Sequence, residues 1–238
     1  MRTQTWQLAL GLVLAGFAVG VQNAAAHSPE ADVRFTVHVC NYADVDSKTL
    51  ASAERVAAEI FRKAGIESRW VDAGDMSQNQ SEDSKDESSL GLSHIWLHIL
   101  SPAMAGRLGL PSTATGLAPG TGPDRRVVDV FYNRVQELAQ KQMIAWANST
   151  ISPHASLDQI LGAVIAHEIG HLLLNQPSHS KTGIMRGDWY LADLYDVAYG
   201  CLLFTPHQAE VIRAELVRRA GQRRTVVVAG PGSPTLAH

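Results

Sequence analysis

Residues 157–174 read LDQILGAVIAHEIGHLLL. Wound as a helix, this segment has Leu157, Ile160, Leu161, Val164, Ile165, Ile169, Leu172 and Leu173 spread over most of its surface. A helix that is apolar nearly all round is a buried helix. Yet His167, Glu168 and His171 lie inside it. An unpartnered polar group in such a place costs roughly 1–3 kcal/mol, so three of them need a shared purpose. His167 and His171 are four residues apart, which puts their Cβ atoms on one helix face about 5–6 Å apart. Two imidazoles at that spacing can share one metal ion at about 2.0–2.1 Å each. Glu168 is turned too far round the helix to bind the same ion easily, but it can reach a water on it and take its proton. The pattern H-E-x-x-H therefore predicts zinc and hydrolysis.

The ends of this helix are marked. Ser156-Leu157-Asp158-Gln159 is a capping-box sequence. Asn175 is a left-handed stop, and Pro177 cannot continue a helix. A catalytic zinc takes three protein ligands and keeps one position open. The third ligand expected here is His179, beyond the helix stop; Asp188, Asp193 and Asp196 are the acidic alternatives.

The rest of the chain alternates strands and helices. Residues 33–40 alternate and are rich in β-branched side chains, as a half-buried strand does. Asp46 or Ser47 caps a helix with Leu50, Ala53, Val56, Ala57, Ile60 and Phe61 on one face, stopped at Gly65. Residues 67–71 form a second strand, completing a βαβ unit whose strands are expected to be parallel. Residues 72–90 are acidic and polar. They lack the ligand order of a calcium loop and read as a solvated connection. Residues 93–100 are a third strand with His94, Trp96 and His98 on one face; these histidines read as packed or surface groups rather than a second metal site. Residues 102–123 are rich in Gly, Pro, Ala and Thr, with 114–118 as a short edge strand. Residues 126–132 form another strand. A helix follows over 133–147 with Val135, Leu138, Ala139, Gln142 and Met143 on one side. A last helix starts at Thr205-Pro206 and runs to about Ala220, with Ala209, Ile212, Leu216 and Val217 inward. Residues 221–238 read as a loose tail in which 225–228 could pair as a strand. The expected class is α/β (α+β): one domain over residues 27–220.

Residues 1–26 have the form of a secretory signal: Arg2, an apolar stretch over 8–21, and Ala24-Ala25-Ala26 before the cut. The alternative is an uncleaved anchor. Cleavage implies a secreted or periplasmic protein with no stable membrane span. The net charge is −3 with no long basic run, which argues against nucleic acid as a partner. Cys40 and Cys201 are the two cysteines; in an exported protein they could bridge or stay separate thiols.

With His167, Glu168, His171, His179 and Gly183-Ile184-Met185 in view, the chain resembles the metzincin-type zincin metallopeptidases. Their pattern is H-E-x-x-H-x-x-G-x-x-H followed by a methionine turn. Here Leu174 occupies the glycine position, and His179 follows His171 by eight residues rather than six. The chain is most similar to small exported bacterial proteins with an HEIGHLLL-type helix and an HSxxGIM-type turn. The resemblance implies a mixed five-stranded sheet with an antiparallel edge strand, backing helices, an active-site helix and a small C-terminal helical subdomain. It implies Zn²⁺ on His167, His171 and His179, with Glu168 as general base and Met185 as an apolar floor. It also implies a peptide or protein substrate paired with the edge strand at 114–118 and a monomeric enzyme, with Tyr190 or Tyr195 as oxyanion donors. The competing readings are a non-catalytic zinc-binding or interaction protein on the same fold, and a zinc hydrolase of non-peptide amides.

Overall fold

The computed structural model describes residues 33–76, 93–109, 114–118, 126–146, 154–175 and 179–228. The expected signal segment, most of the acidic connection, Pro177 and the last ten residues lie outside them.

Among the described residues twelve elements follow in order: β1 (Arg34–Asn41), α1 (Ser47–Lys63), β2 (Glu67–Asp72), α2 (Ala73–Met76), β3 (His94–Leu100), α3 (Pro102–Arg107), β4 (Gly116–Leu117), β5 (Val127–Phe131), α4 (Tyr132–Trp146), α5 (Leu157–Leu174), α6 (Leu191–Ala198) and α7 (Pro206–Val228). The strands form one mixed sheet in the order β2-β1-β3-β5-β4. Its first four strands are parallel, and β4 pairs antiparallel to β5 at the edge. This is the mixed α/β architecture expected from the strand and helix signals.

Alternation decides which sheet face is covered. Phe35, Val37 and Val39 of β1, Ile95, Leu97 and Ile99 of β3, and Val128 and Val130 of β5 all lie in one core with Ala53, Ala57, Ile60 and Phe61 of α1. The same core takes Ile160, Leu161, Val164, Ile165, Ile169 and Leu173 of α5. Burying each large aliphatic side chain is worth about 1.5–3 kcal/mol, so this interface dominates the fold. Asp46 starts α1 by accepting from the Thr49 amide at 3.0 Å, and Gly65, with φ +75°, turns the chain out of it. The helices α1 and α5 approach closely because residue 162 is glycine: a Cβ there would stand 2.5 Å from the Ala53 carbonyl oxygen and 2.6 Å from the Val56 Cβ. Among the described residues, α5 alone is long and apolar enough to cross a membrane, but 78% of it is buried inside the fold. It is the core helix.

Several sequence expectations need correction. The last helix does not stop near Ala220 in a tail or a strand; α7 continues to Val228. Val217 is 48% exposed and Met143 68% exposed, so neither faces inward. Of the two readings left open for the cysteines, separate thiols hold: Cys40, half-buried at the end of β1, and Cys201, exposed after α6, are free. The short helices α2 and α3 were not expected, although Ser101-Pro102, the N-cap and first residue of α3, is a helix-start signal.

Candidate metal centre

The helix α5 begins at Ser156, whose amide donates to the Gln159 side-chain oxygen at 3.0 Å. It ends at Asn175, which adopts φ 51°, ψ 36°. Between these ends the helix presents His167 and His171 one turn apart, with their Nε2 atoms 3.0 Å from each other. After the stop the chain returns to place His179 beside both, with ring centroids 5.4 Å from His167 and 4.8 Å from His171. One nitrogen from each of the three rings lies within 4.8 Å of the other two. Two nitrogens on one tetrahedral ion with 2.0–2.1 Å bonds stand about 3.3 Å apart, so the His167–His171 separation fits a shared ion. His167 is buried, His171 half-buried and His179 exposed. The cluster therefore opens to solvent on the His179 side.

The loop from His179 to Trp189 builds the rest of the centre. The Ser180 amide donates to the Met185 carbonyl at 2.8 Å and the Arg186 amide to Gly183 at 3.1 Å, closing a tight turn. Gly183 takes φ +73° there. The Ile184 amide donates to Leu203 at 2.9 Å, anchoring the turn to the chain ahead of α7. The Ile184 carbonyl in turn accepts from His167 Nδ1 at 2.7 Å. A carbonyl can only accept, so Nδ1 carries the hydrogen and Nε2 keeps its lone pair toward the cluster. Met185 is buried against α5: a Cβ at Gly170 would meet its sulfur at 2.5 Å. Gly187 serves His179 in the same way, because a Cβ there would lie 2.8 Å from His179 Nδ1.

Electrostatics follow from burial. Burial drives the His167 pKa down to about 3; the hydrogen bond to Ile184 opposes this, and the other two histidines add to it. The ring is therefore neutral at physiological pH, the form in which an imidazole can hold a metal ion. Glu168, 4% exposed, has its pKa raised to about 8 by burial and then by Asp129. Its carboxyl lies against the edge strand: a Cβ at Gly116 would stand 2.5 Å from Glu168 Cδ and 2.6 Å from Oε1.

Among the described residues, His167, His171 and His179 are the one such group able to hold a metal ion, and nothing in its geometry identifies the metal. The acidic alternatives are not part of it. Asp193 is buried and engaged elsewhere, accepting from Arg186 Nη1 at 3.0 Å and from the Tyr190 amide at 2.8 Å; Asp188 and Asp196 are exposed. His94 and His98 are not brought together as a second site: His94 Nδ1 lies 2.8 Å from His38 Nε2, and His98 Nδ1 lies 3.0 Å from Asp129. Tyr190 packs under the Arg186 guanidinium and Tyr195 on Tyr199. The aromatic ring against the histidines is Trp189, edge-on to His167 at 5.7 Å, with its Nε1 buried and, among the described residues, unpartnered. Sequence reasoning missed Trp189, Gly116 and Gly187, whose roles come from contacts across the chain. Comparison with protein-family models, curated proteins and solved structures finds no match.

Proposed function

We propose that this chain is an exported zinc-dependent peptidase of the metzincin-like zincin type, hydrolysing peptide bonds in a peptide or protein substrate. The observation that carries this reading is the convergence of three imidazole nitrogens within 4.8 Å, with a buried carboxylic acid, Glu168, one residue along the helix from His167. Neutral imidazoles are the donors that zinc favours, and a purely structural site has no use for an acid beside its ligands. Also in support are Met185 packed beneath Gly170 and an antiparallel strand, β4, at the sheet edge beside Glu168. The signal-like residues 1–26 support export.

His167, His171 and His179 would hold the ion. When bound, zinc would act as a Lewis acid toward the scissile carbonyl and make water a stronger acid. Glu168 accepts a proton from the attacking water on its carboxylate and delivers it to the leaving amine nitrogen. The Ile184 carbonyl holds His167 in the tautomer that presents Nε2. Among the described residues the short edge strand β4 pairs only with β5, and an extended peptide would join its other side by backbone hydrogen bonds.

One observation favours a second reading, a metal-holding protein without catalysis: Glu168 is nearly sealed from solvent and, with its pKa near 8, is protonated at neutral pH without metal. A single experiment separates the two. The mature chain, Glu168→Gln and His179→Ala are assayed for zinc per chain and for cleavage of a mixed peptide library. The peptidase reading requires that Glu168→Gln keep zinc and lose cleavage, and that His179→Ala lose zinc affinity. A wild type that binds zinc and cleaves nothing supports the second reading instead.

A further inference from the structure

Gly116 sits in the two-residue strand β4, opposite Val130 of β5. Glycine weakens a strand, because it costs more entropy to order and has no side chain to pack. Where it occurs in one, either the backbone needs it or something approaches closely. The backbone does not need it here: among the described residues the positive-φ glycines are Gly65, Gly109, Gly183 and Gly200, and Gly116 is not one of them. The approach is from one side chain. The three atoms nearest to a Cβ built at residue 116 all belong to Glu168: Cδ and Cγ at 2.5 Å and Oε1 at 2.6 Å. Two of these belong to the carboxyl group itself, inside a nearly closed space, so the clash cannot be relieved by swinging a flexible tip into solvent.

His167 is tied by the Ile184 carbonyl, and Asp193 by Arg186 and the Tyr190 amide. Among the described residues, no hydrogen bond or ion pair ties the Glu168 carboxyl; packing sets its place. The helix backbone fixes its Cα, and the β4 backbone at Gly116 is the surface against which its outer atoms rest.

We propose that Gly116 is a positioning residue for Glu168: the bare backbone of β4 at this point is the wall that keeps the carboxyl beside the histidine cluster, and a side chain there displaces it. The consequence for turnover rests on the reading of Glu168 as proton acceptor; the contact itself does not.

The test is a double-mutant cycle on the whole mature chain without metal: wild type, Gly116→Ala, Glu168→Ala and the double variant, compared by thermal unfolding. In the wild-type background, Gly116→Ala lowers Tm by about 3–10 °C, the effect of overpacking a closed site in a chain of this size. In the Glu168→Ala background the methyl has room, and the same change leaves Tm unchanged or raises it by about 1–3 °C, because alanine restricts the unfolded chain more than glycine does. Equal losses in both backgrounds, or no loss in either, overturn the proposal. With zinc restored, Gly116→Ala is expected to bind the same zinc per chain as wild type while kcat for peptide cleavage falls at least about tenfold with little change in KM. A wild-type kcat in this variant overturns the positioning role. If wild type cleaves no peptide, the peptidase reading fails, and the unfolding cycle still decides the contact.

Discussion

His167 Nδ1 donates to the carbonyl oxygen of Ile184 at 2.7 Å, joining the middle of α5 to the turn that follows His179. This bond couples the first histidine to the segment that carries the third. The turn is itself tied to Leu203 through the Ile184 amide, so the orientation of His167 depends on the conformation of Gly183-Ile184-Met185. A ligand ring oriented by a carbonyl acceptor loses metal affinity when the acceptor moves, commonly by about 10–100-fold.

Gly183 is where that dependence is most exposed. It adopts φ +73°, and a Cβ there would lie 2.7 Å from the Leu203 carbonyl oxygen. Gly183→Ala should destabilise the protein by about 2–3 kcal/mol, from left-handed strain and the clash together. It should also weaken zinc binding at least about tenfold by shifting the Ile184 carbonyl. Urea unfolding and a competitive zinc titration measure the two effects; zinc affinity equal to wild type would show that the turn does not orient His167.

Much of this centre was legible in the sequence, for reasons that are local. Phe35, Val37 and Val39 alternate with Thr36, His38 and Cys40, and a period of two marks a strand wherever it lies in the chain. His167 and His171 are four apart on a segment with a readable cap and stop, so their convergence needed no tertiary information. His179 was legible once Asn175 was recognised as a turn out of the helix. Gly116 was not, because its contact with Glu168 crosses from β4 to α5 and leaves no local periodic signal. Trp189 has no local signal that separates it from Tyr190 or Tyr195; only the packing shows which ring reaches His167. The extension of α7 beyond Gly221 lacks an apolar stripe to announce it. The free state of Cys40 and Cys201 illustrates the same limit, since spacing in sequence carries no distance.

The opposed shifts of neighbouring residues predict the pH profile of the metal-free protein. His167 has a folded pKa near 3 against an ordinary 6.5, so its contribution to stability is full above 6.5 and is lost as pH falls toward 3. Glu168 has a folded pKa near 8 against 4.5, so its contribution is full below 4.5 and is lost as pH rises toward 8. Between 4.5 and 6.5 the unfolded state gains one proton at the histidine and lacks one at the glutamate, and the two slopes cancel. Stability from these groups should be flat there and fall on both sides, by up to about 1.4 kcal/mol per pH unit. Excess zinc should flatten the alkaline limb, because a dication beside Glu168 favours its ionised form. Glu168→Gln should remove that limb altogether. Urea unfolding from pH 3 to 9 checks this, and an alkaline limb unchanged in Glu168→Gln would assign it to another group.

Arg219 predicts a stability effect well away from the histidines. Its side chain is 1% exposed, donating through Nε to Glu215 at 2.7 Å and through Nη2 to the Leu172 carbonyl at 3.4 Å, near the C-terminal end of α5. Arg219→Ala leaves Glu215 with less compensation and a hole under α5. A loss of about 2–4 kcal/mol is expected, from the hole and the lost hydrogen bonds, because the half-buried Glu215 keeps its two bonds from Arg218. Arg219→Met keeps much of the apolar stem and should lose less. Denaturant unfolding ranks the variants; equal losses would mean that the charge, and not the packing of the stem, carries the effect.

Asp193 offers a test of how His179 is held. Its carboxylate accepts from Arg186 at 3.0 and 3.2 Å and from the Tyr190 amide at 2.8 Å, clamping both ends of the segment that contains Gly187 and Trp189. Gly187 lies directly against His179, and Trp189 against His167. Asn at 193 has nearly the same shape and can still accept from the Tyr190 amide, but it loses the charge that holds Arg186. Asp193→Asn should therefore leave the fold intact and weaken zinc binding by about 3–10-fold through a looser His179. The same change in a His179→Ala background should have a much smaller effect on the residual zinc affinity, since the ligand it positions is gone. A competitive zinc titration on the four proteins measures the coupling. Additive losses in the double variant would show that the Arg186–Asp193 clamp acts on the centre by another route than His179.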